Sequence, residues 1–277
     1  MTTADNGTVR YPASESESMI LSLLSARGHN IKVEVLDSID STNTYARKII
    51  TDGKNPLTDG SHLIVARTQT AGRGRLGRSF YSPPDSGLYM SLVYRTSDTL
   101  AHATKVTPAA AVAVAKTVEG QSGKKASIKW VNDVYIGDAK VCGILCESVT
   151  VESKTYIIIG IGVNISTESF PDGLRAPAAS VFSDAEPEWA HCVRDSFAAE
   201  ITARLIELIK ADFPVKDCLE EYRSRSYLDG RRVLCMVGNE SFEGVAVGIG
   251  DDFSLRVRLD GGDERELSSG EASIKAM

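Results

Sequence analysis

Apolar residues recur along this chain with two different periods. In IKVEVLDSI, Ile31, Val33 and Val35 alternate with polar neighbours, the spacing of a half-buried strand. HLIVARTQ, GLYMSLVYR and KTYIIIGIGVNI read as further strands, rich in β-branched and aromatic residues. ASIKWVNDVYIGDAKVCGILCESV reads as two strands joined by an Ile-Gly-Asp turn. Helical spacing governs Ala190 to Lys210, where Val193, Phe197, Ile201, Leu205, Leu208 and Ile209 share one face. A short amphipathic helix in SESMILSLLSARGHN ends at Gly28, and TYARKII opens another after Ser41-Thr42-Asn43, one of which caps it. Thr107-Pro108 predicts the start of an alanine-rich helix that closes near Gly120, with Thr as N-cap and Pro at the first helical position.

Past Leu228 the pattern changes to short strands (RRVLCMV, SFEGVAVGIG, FSLRVRL, EREL, ASIKA) separated by Gly, Asp and Asn turns, the pattern of a small barrel or sandwich. The expected organisation is a disordered lead-in over 1–13, a larger domain over 14–226 and a small C-terminal domain over 227–277. The mixed order of helices and strands before the break indicates an α/β (α+β) domain on a largely antiparallel or mixed sheet.

Composition narrows the function classes. A chain of 277 residues, 42% hydrophobic, is long enough for two cores. It has no apolar run of membrane-spanning length and its N-terminus lacks a signal-peptide pattern, so the expected location is cytoplasmic, without membrane contact. The net charge of -6 argues against a general nucleic-acid binder, because such affinity comes from many phosphate contacts. Five cysteines without metal-ligand spacing favour neither a disulfide framework nor a metal site. Four scattered histidines form no visible nucleophile constellation.

One local basic feature stands out. Gly72-Arg73-Gly74-Arg75-Leu76-Gly77 matches GxGxxG formally, but Pro83 and Pro84 prevent the helix that a dinucleotide-binding turn requires. No Gly-Lys-Ser/Thr triplet occurs, which excludes a Walker A loop. What remains is a glycine-rich loop carrying Arg73, Arg75 and Arg78, suited to carboxylate or phosphate and equally readable as a solvated basic loop. Downstream, Lys129 lies in a strand-like run beside Trp130, either a snorkelling edge residue or a ligand contact, and Asn132 and Asp133 follow it.

Six segments together resemble the biotin protein ligase family: SIDSTN at 38–43, QTAGRGRLGR at 69–78, LYMS at 88–91, KWVNDV at 129–134, KVCGILCE at 140–147 and GIGVNI at 160–165. The resemblance implies a central mixed sheet with helices on one side, of the class II synthetase-like type, followed by a C-terminal SH3-like barrel. It implies ATP, as a substrate complex with Mg²⁺, and biotin as substrates, with no prosthetic group and no protein-bound metal. It also implies a biotin carboxyl carrier domain as acceptor partner. Ser41, Thr42, Asn43, Gln69, Gly72, Arg73, Gly74, Arg75, Lys129, Gly143, Ile144 and Leu145 are then expected around biotin. Arg75, Arg78, Phe80, Lys129, Asn132, Gly160 and Asn164 are expected near the nucleotide, with Lys129, Arg73 and Arg75 in the chemistry. Ser41 to Asn43 have a competing capping role, and Gly143 and Gly160 a competing role as bulges or close-packing sites.

Two positions depart from the family pattern. Phe80 stands where many members have tryptophan and Val131 where many have proline; Phe80 covers less area and lacks an indole N–H, which weakens loop closure. Many relatives carry an N-terminal DNA-binding module, and the roughly 30 residues before the first strand here are too few for one, so a monofunctional ligase without DNA binding is expected. Homodimerisation through sheet edges is a further expectation. The neighbouring lipoate ligases share the fold but are expected to carry a different glycine-rich motif with an aromatic-His-Asp ending, which this chain lacks.

Overall fold

The computed structural model describes residues 2–3, 9–10, 12–53, 60–96, 99–183 and 187–274. Most of the expected lead-in lies outside the described residues; β1 (Thr2–Thr3) and β2 (Val9–Arg10) within it pair antiparallel. The chain then runs through α1 (Ala13–Ser25), β3 (Lys32–Leu36), α2 (Thr42–Thr51), β4 (Ser61–Ala66), β5 (Gly87–Thr96) and α3 (Thr99–Ser122). β6 (Ala126–Lys129), β7 (Asp133–Ile136), β8 (Ala139–Val151) and β9 (Lys154–Asn164) follow, then α4 (Pro187–Lys210) and α5 (Val215–Ser224).

Seven strands form one mixed sheet in the order β3-β4-β5-β9-β8-β7-β6, with β3 and β4 parallel and every other pair antiparallel. Alternation along the strands gives its faces different jobs. Leu88, Met90 and Leu92 of β5 and Ile157, Ile159 and Ile161 of β9 point into the main core, with Ala110, Val114 and Phe197 from α3 and α4. On the opposite face Ala46 and Ile50 of α2 pack on Ile64, Val93, Tyr156 and Ile158, so helices lie on both faces rather than on one. α2 covers only part of that second face, and the ligand-sized space lies beside it.

Two local expectations need correction, and one helix is new. The alanine-rich helix begins at Thr99, not at Thr107, and Pro108 sits inside it. An interior proline removes one helical hydrogen bond, yet Pro108 to Ala115 are almost all buried, and packing overrides the local preference. The stretch from Ala126 to Val151 forms three strands, because Trp130-Val131-Asn132 makes an additional tight turn between β6 and β7. Helix α5 is an element that the sequence reading does not predict, although Val215, Cys218, Leu219 and Tyr222 recur at helical spacing, the last three of them buried.

The last five strands, β10 (Arg232–Val237), β11 (Glu240–Ile249), β12 (Leu255–Arg258), β13 (Glu264–Leu267) and β14 (Glu271–Ile274), form an antiparallel SH3-like unit in the order β13-β12-β11-β10-β14. It is not a separate bead: Val233, Cys235, Leu255 and Val257 belong to the same apolar cluster as the main sheet. Trp130 Nε1 donates across the junction to the Phe253 carbonyl at 2.9 Å. Among the described residues no helix is long and apolar enough to cross a membrane.

Candidate active site

The uncovered part of the second sheet face is stripped of side chains. Gly143 of β8 is paired with Gly162 of β9, and Gly160 lies between Ser91 and Leu145. An added Cβ at Gly162 would meet the Phe80 ring at 2.5 Å, and at Gly160 it would meet Asn43 Oδ1 at 2.2 Å. The glycines therefore admit other groups against the bare backbone, as close approach requires.

Over this surface lies the segment between β4 and β5. Its entry strand delivers Gln69, whose Oε1 accepts from Thr42 N–H at 2.9 Å and lies 3.2 Å from Thr42 Oγ1. Gln69 thus does the work of a helix cap for α2; Ser41 occupies the N-cap position but makes no side-chain cap bond. Asn43 is buried and hydrogen-bonded through both amide atoms: Ser91 Oγ donates to its Oδ1 at 2.7 Å, and its Nδ2 donates to Leu145 O at 3.1 Å and Glu147 Oε2 at 2.8 Å. Gly72 packs under Phe80 O and Ser82 Oγ, where a Cβ would meet both within 2.6 Å.

All three loop arginines are held by the protein. Arg73 pairs with Glu147 at 3.1 Å, and Arg75 donates to Asn132 Oδ1 at 3.0 Å and to Gly270 O at 3.3 Å. Arg78 forms a forked ion pair with Glu271 of β14. That pair lowers the Glu271 carboxyl below its ordinary range. Burial raises the Glu147 carboxyl, but the Asn43 hydrogen bond and the charges of Arg73 and Arg47 outweigh it and the net shift is downward. Asn132 links loop and sheet, since its Nδ2 also donates to Ile144 O at 2.9 Å.

Two cavities adjoin here. The first, about 110 Å³, is lined by Ser41, Thr42, Asn43, Gln69, Arg73, Gly74, Gly143, Ile144, Leu145 and Gly160 among others. The second, about 580 Å³, is lined by Lys129, Trp130, Tyr135, Asn164, Phe170 and Arg175. Arg75, Arg78, Phe80, Asn132, Asp133, Lys140 and Glu271 line both. The structure thus brings most of the sequence-selected residues to these two cavities, with Lys129 on the second alone; Gly72 lines neither, and Gly160, expected near the nucleotide, lines the first. Its amine is half-buried, 5.8 Å from the Tyr135 ring centroid, and desolvation lowers its pKa. Lys140, which sequence reading did not select, lies at the junction of the cavities with Nζ 2.7 Å from Asp133 Oδ1. Lys140 and Glu147 are the two ends of the KVCGILCE segment, so the motif held a signal for both. Glu271 had none, being far away in sequence. Asn164 faces the second cavity but also donates to Ala179 O at 3.2 Å, a structural role.

The fold and this site define a class of protein with two adjoining polar cavities on a glycine-paved sheet, beneath an arginine loop that can grip anions. Residues 35–164 match the model of the biotin/lipoate A/B protein ligase family. The chain is 36% identical over 176 residues to the bifunctional ligase/repressor BirA of Bacillus spizizenii, covering 62% of this chain and 53% of that protein. It therefore spans about half the length of that relative. The Salmonella typhimurium protein of the same name is 30% identical over 241 residues, 83% of this chain and 70% of the relative. A Mycobacterium tuberculosis protein named as a biotin acetyl-CoA-carboxylase ligase is 27% identical over 273 residues, 93% of this chain and 94% of that one. In fold, the biotin protein ligase of Aquifex aeolicus solved with biotin and ATP superposes with a TM-score of 0.69 at 24% identity, over 89% of this chain and 99% of that one. The chain belongs to the biotin/lipoate A/B protein ligase family.

Proposed function

We propose that this protein activates biotin with ATP and transfers the biotinyl group to a lysine of a biotin carboxyl carrier domain. The observation that carries the reading is the pair of cavities meeting at Lys140, Arg75 and Arg78. Biotin takes the first cavity, where Thr42, Asn43 and Gln69 supply polar contacts for a ureido ring. ATP, entering with Mg²⁺ as a substrate complex, takes the second.

The two reactants are both anions, and their approach needs fixed cations at the shared wall. Lys140 is placed for that task and Lys129 for the phosphate side. Arg73, Arg75 and Arg78 exchange Glu147, Asn132 and Glu271 for ligand oxygens. A carboxylate oxygen of biotin attacks the α-phosphorus and pyrophosphate leaves, which forms biotinyl-5'-AMP. The loop then shields this mixed anhydride from water. The neutral amine of the acceptor lysine attacks the acyl carbon, the C–O bond to phosphate breaks, and AMP departs. No enzyme nucleophile is needed.

The test uses ATP labelled with ³²P in its α-phosphate, with biotin or lipoate and a carrier domain. The wild type is expected to form an adenylate with biotin that disappears as the carrier is biotinylated. Lys140→Ala should slow adenylate formation by about 10²-fold, the scale of losing one fixed transition-state contact, and more than Lys129→Ala does. Adenylate with lipoate alone, or with neither acid, overturns the proposal.

A further inference from the structure

The ligand loop is clamped at its base by two buried arginines on a partly exposed carboxylate, none of which lines either cavity. Arg67 follows β4 and Asp85 precedes β5, so the two residues are the gateposts of the loop. Asp85 N–H donates to Arg67 O at 3.0 Å, and Arg67 Nε returns a bond to Asp85 Oδ1 at 2.6 Å. Arg67 Nη1 also reaches Asp37 Oδ1 at 3.3 Å. Arg194 of α4, 2% exposed, adds Nη1 to Asp85 Oδ1 at 3.4 Å, Nη2 to Ser16 Oγ of α1 at 2.7 Å and Nε to Asp195 Oδ1 at 3.1 Å. One carboxylate oxygen of Asp85 therefore gathers two guanidinium groups, one from each side of the loop base. Asp85 holds φ at +56°, in the left-handed region, which Asp enters more readily than most non-glycine residues.

From this base a short rigid path leads into the first cavity. Thr68 Oγ1 donates to Ser82 O at 3.0 Å, and Gln69 Nε2 donates to Ser82 Oγ at 2.9 Å. Gln69 in turn fixes Thr42. The Phe80 N–H donates to Gly72 O at 2.8 Å. Arg67 and Arg194 are the buried members of this cluster, whereas Asp85 is partly exposed; two buried guanidinium groups on one carboxylate fix its position more than they add to stability. Here the placement they fix is that of the biotin-side wall.

We infer that Arg67, Asp85 and Arg194 are positioning residues, which set the placement of Gln69 and the arginine loop over the biotin cavity from outside it. This rests on the reading of the first cavity as the biotin site. Two measurements keep the claims apart: tryptic cleavage of the ligand-free protein at Arg73, Arg75 and Arg78, and the biotin Kd by calorimetry. Asp85→Ala and Arg67→Met should be cut faster at the loop and bind biotin about tenfold more weakly, the scale of losing one hydrogen bond to the ligand. Arg67→Lys, which keeps the charge, should recover most of the affinity. If Asp85→Ala does not fold, Asp85→Asn takes its place. Folded variants with unchanged loop cleavage and a biotin Kd within about twofold of the wild type would overturn the inference. A wild type that binds no biotin would instead sink the proposed function, and the cleavage rates alone would then decide the role of the clamp.

Discussion

Gly160→Ala is a severe perturbation that adds a single methyl group. The added carbon would sit 2.2 Å from Asn43 Oδ1 and 2.8 Å from its Cγ and Nδ2. The Asn43 carboxamide must retreat by roughly 1 Å, and in a close-packed interior it has nowhere to go. Its Oδ1 loses the Ser91 hydroxyl, and its Nδ2 bonds to Leu145 O and Glu147 are strained. Overpacking of this kind costs about 1–3 kcal/mol, and a lost hydrogen bond about 1 kcal/mol more. The expected loss is about 3 kcal/mol, or a fall of roughly 6–12 °C in Tm. Urea unfolding followed by tryptophan fluorescence measures it, alone and in an Asn43→Ala background. Removing the carboxamide removes the clash, so the methyl should then cost less than about 1 kcal/mol, and the difference is the coupling of the two sites. Equal cost in both backgrounds would refute the reasoning, since the methyl would then be meeting something other than Asn43.

Trp130→Phe should lower stability by about 1–3 kcal/mol, because the Phe253 carbonyl at the junction of the two sheets loses its buried indole donor; a calorimetric melt unchanged within error would contradict this. The Arg78–Glu271 pair predicts a pH dependence of loop order. Glu271 has a folded pKa below its ordinary value of 4.5, so its contribution is present above about pH 4.5 and is lost as the pH falls through the depressed folded value. Hydrogen exchange of the loop amides, corrected for intrinsic rate, should accelerate over that acid window in the wild type and change less in Glu271→Gln.

Much of the site was legible before any fold was known. The arginine-glycine loop stood out because residues that tolerate close backbone approach and residues that fork onto anions were adjacent in sequence. Period-two patterning marked the principal strands for the same reason, since each strand's preference is written into its own side chains. Legibility failed where packing decided. Pro108 pointed to a helix start and lies inside a helix, whereas α5 carries its apolar residues at helical spacing and was open to local reading. The choice between Lys129 and Lys140 also escaped local reading: both are strand lysines near polar neighbours, and only the meeting of β6 to β8 with the loop puts one at the junction of the cavities and the other on one side of it.

By itself, then, the sequence determined the kinds of elements, the anion-suited loop and, through six ordered segments, the family resemblance. These depend on interactions a few residues long, or on patterns carried whole in the chain. Tertiary structure decided what depends on distance across the fold. It brought Glu271 from the last strand to Arg78, put Glu147 against Arg73, and set Gly160 against Asn43 and Gly162 beneath Phe80. It also tied Arg194 of α4 to the base of a loop that precedes it by more than a hundred residues. Those contacts join partners far apart along the chain, and only tertiary packing makes them neighbours: α2 on one face of the sheet, α4 on the other, and the last strand beside the arginine loop.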